Sequence, residues 1–234
     1  MTELQQKLSG IHHRLIIGDA HEQNKACNEA LALLASLKKP EEREILCSII
    51  VAPLLDLNRE TDWRRCIGIL QNSSDFHTQL VAIRSEAWWC MKHKDLSGML
   101  ERYEKGLKMA TRYDDKQAMA ECFLEKGKTL IRTKENTAAI DSLGMAIENA
   151  KEVFNYKLIA VATYYIALAM NQLGQSAIAL EKLREASDMA VAQKSQNIVR
   201  QTEVVRAKML FEQGETEEAK TILNDWMAQF GLML

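Results

Sequence analysis

Proline and glycine are scarce in this chain. Two prolines and 10 glycines occur in 234 residues, and both residue types interrupt helices. Residues with high helix propensity, such as Ala, Leu, Glu, Lys and Gln, are abundant instead. The sequence also lacks alternating β-branched and aromatic runs between hairpin turns, which are typical of β-sheets. These features predict an all-α fold.

Charge of one sign and long hydrophobic runs are also missing. The formal net charge is -2 at pH 7, so the overall charge does not indicate nucleic-acid binding. The longest apolar-rich run, ILCSIIVAPLL at 45–55, is far shorter than the ~20 residues that span a bilayer. The N-terminal segment shows no secretory-signal pattern. We therefore expect a cytoplasmic, soluble protein that binds neither nucleic acid nor membrane.

Residue combinations that carry chemistry are few. The five cysteines are widely spaced and include no CxxC pair, which excludes a recognisable disulfide framework or zinc site. Three of them, Cys47, Cys66 and Cys90, occupy positions typical of small buried residues. His12 and His13 are adjacent and would point about 100° apart on a helix, a poor geometry for shared metal binding. We find no catalytic residue, metal site or cofactor site, and we predict that the protein is not an enzyme.

A shift of the chain by 40 residues reveals an internal repeat. It brings Gly174 onto Gly214 and Leu183 onto Leu223. The same shift relates four small residues, Ala87, Gly127, Ala167 and Ala207, and a second series, Met99, Ala139, Ala179 and Ala219, followed by Tyr103, Leu143, Leu183 and Leu223. Each series continues at the spacing of one helical face. Short turns between the two series, two of them with Gly174 and Gly214, predict a helical hairpin in each unit.

The hairpin pattern extends over the whole chain. We predict six hairpins, near 2–37, 41–72, 77–113, 114–153, 155–193 and 195–230. About twelve helices then form a single repeat domain over residues 1–234.

These units resemble tetratricopeptide repeats, which pair two antiparallel helices of similar pattern. The family's usual repeat has about 34 residues, whereas the period here is 40. The resemblance implies a right-handed α-solenoid whose concave groove, lined by the first helix of each hairpin, binds a peptide or protein segment. The extended repeat is similar to sensory or regulatory regions of bacterial signalling proteins, including some diguanylate cyclases and transcriptional regulators.

The groove residues are predicted from the register of the first helices. If Ala87, Gly127, Ala167 and Ala207 pack inward, the following residues open toward the groove, and residues four before or three to four after share that face. The candidate binding residues are Arg84, Trp88, Met91, Lys92, Lys128, Arg132, Tyr164, Asn171 and Lys208, with Leu124 and Ile131 on the same face. Lys and Arg would hold carboxylates, Asn would satisfy backbone groups, and aromatic residues would act as anchors.

Two alternatives remain open at this point. The aromatic residues of the stripe could fill the interior of the solenoid, and its cations could be solvated charges paired with Glu121 and Glu125. The apolar tail WMAQFGLML, with Trp226, Phe230 and Leu232, favours either a self-associating scaffold such as a homodimer or contact with a following domain of a larger signalling protein.

Overall fold

The structure is a computed structural model that describes residues 3–229. Its regular structure in this range consists of twelve α-helices. Their bounds are α1 (Glu3–Ile17), α2 (Ala20–Ser36), α3 (Pro40–Asp56), α4 (Glu60–Gln71), α5 (Phe76–Lys92), α6 (Leu96–Arg112), α7 (Lys116–Arg132), α8 (Asn136–Glu152), α9 (Tyr156–Gln172), α10 (Ser176–Ala192), α11 (Gln196–Glu212) and α12 (Thr216–Gln229). The predicted all-α class is confirmed. No described helix combines the length and the apolar character that membrane crossing requires.

Helix length and spacing are regular in the middle of the chain. Each helix from α5 to α11 has 17 residues, and their first residues, from 76 to 196, lie 20 apart. Three residues therefore connect each helix to the next. The middle residue of each connection has a positive φ, at Lys94, Asp114, Lys134, Phe154, Gly174, Lys194 and Gly214.

The positive φ ends each helix in a defined way. At Gly174, with φ +79°, the next residue donates its backbone N–H to the Met170 carbonyl at 3.0 Å. This bond satisfies a carbonyl that the helix leaves without an internal partner. The prediction that Gly174 and Gly214 end helices is confirmed.

Side chains cap several of the helices that follow. Asp75 accepts a hydrogen bond from the Thr78 backbone N–H at 2.7 Å. Asp95 and Asp115 make the equivalent bond, each at 2.8 Å. These caps satisfy backbone donors of the first turn and fix where the helices begin.

The chain forms two compact units, Met1–Arg102 and Tyr103–Leu234, and α6 crosses the boundary between them. In the first unit, α3 contacts α1 and α5 in addition to its neighbours α2 and α4. In the second unit, α9 contacts α7 and α11 in addition to α8 and α10. The odd-numbered helices are the first helices of the hairpins. Within each unit they thus form a continuous layer, which carries the candidate site. The single domain over 1–234 stays a prediction.

The core of the second unit follows the sequence register. Ala139, Leu143, Ala179 and Leu183 are fully buried, as the repeat predicts. Leu223, at the equivalent position in α12, is 37% exposed. No helix follows α12 within residues 3–229 to cover it.

Candidate functional site

The first helices of the second unit share an outward-facing stripe. The small residues Gly127, Ala167 and Ala207 are buried in α7, α9 and α11. The residues that follow them are Lys128, Leu168 and Lys208, of which the first two are half-buried and the third is exposed. Equivalent positions on neighbouring first helices therefore present two cations and one apolar group. We call these three residues the central stripe.

Lys128 is held by contacts on both sides. Its Nζ donates to Glu125 Oε1 at 2.6 Å and lies 5.5 Å from the centre of the Tyr165 ring. The second contact is a cation–π interaction that joins α7 to α9. The pairing of Lys128 with Glu125 is the one that the solvated-charge alternative describes. Such partly exposed pairs contribute about 0–1 kcal/mol, so a ligand carboxylate can compete for this cation.

Arg132 and Asn171 lie at the C-terminal ends of α7 and α9. Arg132 is exposed, and its guanidinium forms no ion pair with any described residue. Asn171 is half-buried, and its Oδ1 accepts a hydrogen bond from Ser176 Oγ at 3.0 Å. The amide N–H groups of Asn171 remain able to donate to a peptide carbonyl.

A second row of the predicted stripe faces the next first helix instead of solvent. Leu124, Tyr164 and Val204 occupy equivalent positions on α7, α9 and α11. Leu124 is 8% exposed, Tyr164 is half-buried and Val204 is 45% exposed. Tyr164 packs against the same buried cluster as Val205 and Met209 of α11, and this burial raises the pKa of its phenol. Exposure increases toward α11 because no first helix follows α11 in the described range.

The row three residues after the central stripe behaves in the same way. Ile131 is 8% exposed and Phe211 is 64% exposed. The prediction that Leu124 and Ile131 open toward a groove is therefore wrong, because both side chains are buried. Phe211 and Val204 instead leave α11 with an apolar face of its own.

In the first unit, α5 carries an exposed apolar and cationic face. Trp88 is 39% exposed and Met91 is 37% exposed, and Arg84 is also exposed. The spacing of these residues places them on one side of the helix. Trp89 is half-buried, so the structure decides which of the two adjacent tryptophans faces outward.

Lys92 has a structural partner at the end of α3. Its Nζ donates to the Leu55 carbonyl at 2.5 Å and to Asn58 Oδ1 at 2.9 Å. A cation at this position stabilises the negative end of the helix dipole. Lys92 therefore joins α5 to α3, and sequence spacing gave no sign of this contact.

An aromatic cluster beneath this face was also missed. The rings of Trp63 and Trp89 stack with centroids 6.1 Å apart, and His93 stacks on Trp89 at 4.1 Å. The Arg64 guanidinium lies 5.4 Å from the Trp89 ring and is paired with Glu60, which holds the pKa of Glu60 below its usual value. This cluster fixes the orientation of α5. The presence of a Trp in each of two consecutive predicted helices was the only available signal.

The cysteines are buried thiols. All five are buried and free, as predicted for Cys47, Cys66 and Cys90. Burial raises the pKa of the Cys27 and Cys90 thiols, which suppresses the reactive thiolate. Among the residues that the structure describes, no three His, Cys, Asp or Glu side chains form a group that could hold a metal ion.

The structure describes only part of the apolar tail. Phe230 and Leu232 lie outside the described residues, and the side chain of Trp226 is likewise not described. The predicted contact through these three residues stays a prediction.

Comparisons with known proteins relate this arrangement to solved structures. No family model and no curated protein matches the chain. The apo form of RapI is similar over 97% of each chain, at 11% identity and a TM-score of 0.72. BtubC from P. vanneervenii is similar over 97% of this chain and 91% of its own, at 11% identity and a TM-score of 0.68. The structure of NprR in complex with its cognate peptide NprX is similar over 97% of this chain and 67% of the NprR chain, at 14% identity and a TM-score of 0.59.

Identities this low show the fold and nothing more specific. The twelve helices, their antiparallel order and the layer of first helices in each unit agree with the predicted resemblance to tetratricopeptide repeats. The chain thus has a helical-repeat fold of the tetratricopeptide type, similar to the folds of RapI and NprR.

Proposed function

We propose that this protein is a non-enzymatic regulatory module that binds a peptide or protein segment on the first helices of its repeats. In the second unit, the site is the central stripe together with Arg132 and Asn171. The observation that carries the proposal is the chemistry of this stripe, which combines cations, an apolar side chain and amide groups on adjacent helices. Such a surface fits an extended polypeptide, whose backbone and side chains need each of these groups.

The structural neighbours support this class of partner. NprR, which shares the fold, is described as a complex with its cognate peptide NprX. A sensory role in a bacterial signalling protein, in which the repeats control an output domain, is the finer form of the proposal. The extended repeat and the regular 20-residue helix spacing support it.

Peptide selection followed by direct binding tests the site. A phage-displayed library of random peptides would be selected on the whole chain, and the enriched peptide would be titrated by calorimetry. Arg132→Glu and Lys208→Glu should each weaken binding about tenfold or more, because they replace an attractive charge with a repulsive one. Both side chains are exposed, so the fold should tolerate the changes.

Arg184→Glu is the matched control. Arg184 is exposed on α10, a second helix, and the same charge reversal there should leave the affinity unchanged. Equal losses in all three variants would indicate a general charge effect. Full affinity in both Arg132→Glu and Lys208→Glu would move the site away from the first helices.

The α5 face is a separate predicted contact. Trp88→Ala removes an aromatic side chain that is already partly exposed, so we expect reduced peptide affinity with little change in stability. Circular dichroism would confirm that helicity is retained. A selected peptide that binds wild type and Trp88→Ala equally would limit the site to the second unit.

Self-association is a second candidate function, favoured by the exposed apolar face of α11. In α11, Val204 is 45% exposed and Phe211 is 64% exposed. The equivalent face of α7 is buried. A second copy could cover this face, together with the predicted contact through Trp226, Phe230 and Leu232. Sedimentation equilibrium should then show a dimer that Phe211→Ser dissociates. A wild-type monomer at high concentration would contradict this candidate.

A further inference from the structure

A polar depression of about 360 Å³ lies between the start of α3 and the end of α4. α3 contributes Arg43 and Glu44, and α4 contributes Arg65, Gly68 and Ile69. The α4 residues recur at the spacing of one helical face. Because the peptide-binding proposal involves other helices, this depression is independent of it.

Two arginines in the depression lack an ionic partner. The Nε of Arg43 is buried without a hydrogen-bond partner, and neither Arg43 nor Arg65 pairs with an acid among the described residues. A buried donor without an acceptor destabilises the folded protein. The adjacent Arg64 is different, because it is bound to Glu60 Oε1 at 2.5 Å.

The two guanidinium groups act on the same buried group. The pKa of the Cys47 thiol is lowered first by its hydrogen bond with Cys66, and then by the positive charges of Arg43 and Arg65. Cys47 is one helical turn from Arg43, and Cys66 is next to Arg65 in the sequence. Both arginines therefore line the depression and lie close enough to Cys47 for their charges to act on its thiol.

The charge of the depression matches a monovalent anion. Glu44 belongs to the same lining but accepts a hydrogen bond from Ser73 Oγ at 2.8 Å. Two guanidinium groups and one carboxylate leave a net charge of one positive unit. A carboxylate neutralises this charge, whereas a phosphate dianion would overcompensate it and be repelled by Glu44. The planar guanidinium also matches the two oxygens of a carboxylate.

We propose that this depression is a binding site for a monovalent carboxylate, held between Arg43 and Arg65. The carbon chain of the ligand would lie over Gly68, where no atom stands within 4 Å of the position that a Cβ would take. Ile69 provides an apolar wall on the same side. The ligand would give the Arg43 guanidinium the ionic partner that the described residues do not provide.

NMR of the arginine side chains tests this assignment. The Nε–H signals of the whole chain would be followed during titration with sodium N-acetylglycinate, and with sodium chloride at equal ionic strength. We expect a saturable shift of the Arg43 and Arg65 signals with N-acetylglycinate alone. Arg43→Gln and Arg65→Gln should each weaken the affinity about tenfold or more, because each removes a charged hydrogen bond.

Two further variants separate charge from shape. Arg64→Gln is the control beside the site and should leave the affinity unchanged. Gly68→Met should abolish binding by filling the depression while keeping both arginines, and its Cβ has room in the folded chain. Non-saturating shifts that are equal in both salts, or binding that survives Gly68→Met, would overturn the proposal. Tighter binding of inorganic phosphate than of N-acetylglycinate would overturn the assignment to a carboxylate.

Discussion

At the scale of single residues, the connections between helices depend on backbone conformation more than on side-chain type. Within residues 3–229, eight connections place a residue at positive φ, but only Gly174 and Gly214 among these eight residues are glycines. Residues with a Cβ pay about 1–2 kcal/mol in this conformation. The remaining connections therefore hold strain that the packing of the helices outweighs.

Substitution at two equivalent connections tests this strain. Gly174→Ala should lower the free energy of unfolding by about 1 kcal/mol, since no neighbouring atom lies within 4 Å of the new Cβ and only the backbone resists. Lys134→Gly, where φ is +65°, should raise stability by about 0.5 kcal/mol. Urea unfolding followed by circular dichroism measures both. The same sign of change in both variants would contradict the explanation.

The helix cap at Asp75 makes stability depend on pH. Hydrogen bonds from the side chain and backbone of Thr78 hold the pKa of Asp75 below its usual value. A carboxyl whose pKa is lowered by folding contributes stability above its unfolded pKa of about 3.9, and loses this contribution as pH falls through the folded value.

We expect Asp75→Ala to cost about 1 kcal/mol at pH 7, and this difference from wild type should shrink below about pH 4. Urea unfolding between pH 7 and pH 3 measures the difference. Gln175→Ala is the control, because Gln175 precedes α10 without a side-chain cap bond. A difference that stays constant over this pH range would exclude the charged cap as its cause.

At the scale of helices, the hairpin of α7 and α8 depends on the absence of a side chain. A Cβ at Gly127 would lie 2.6 Å from Leu143 Cγ and 3.3 Å from the Ala139 carbonyl. The sequence register predicted this close approach because Gly127 occupies the small position of a first helix. It could not show which atoms meet, since the distance between helices depends on packing along their whole length.

Two glycine substitutions separate packing from helix propensity. Gly127→Ala gains about 1 kcal/mol of helix propensity, but overpacking costs about 1–3 kcal/mol, and we expect net destabilisation. Gly144→Ala in α8 meets no atom within 4 Å and should stabilise by up to about 1 kcal/mol. Thermal unfolding distinguishes these outcomes. An increase in stability for both variants would show that α7 and α8 separate at little cost.

At the scale of the whole molecule, repeat proteins hold together mainly through contacts between neighbouring hairpins. Leu183 of α10 is fully buried in a cluster with Ala167 of α9 and Met209 of α11. Loss of its side chain should therefore affect the adjacent helices first. This behaviour differs from that of a domain with a single central core.

We expect Leu183→Ala to destabilise the protein by about 2–5 kcal/mol. Hydrogen exchange measured by mass spectrometry should increase most in α9, α10 and α11, and least in α1 and α2. Leu54→Ala, a fully buried residue of α3, is the reciprocal control and should affect the first unit more. Uniform loss of protection along the chain in both variants would contradict local coupling.

The sequence by itself determined the helical class, the approximate number of helices and the buried register. These features depend on patterns within one helix or between equivalent helices 40 residues apart, so periodic residues such as Leu143 and Leu183 identify them. For Trp88, the same patterns left two choices open: the side chain could face outward or fill the interior of the solenoid.

Only the tertiary structure decided which positions of a face stay open. Ile131 and Phe211 occupy equivalent register positions, yet one is buried and the other exposed, because burial depends on whether another first helix follows. Lys92 bonds to the end of α3, and Arg43 and Arg65 line one depression, because contacts between distant residues depend on how the helices pack. Local periodicity places a side chain on a helix, but the neighbouring helices determine what that side chain meets.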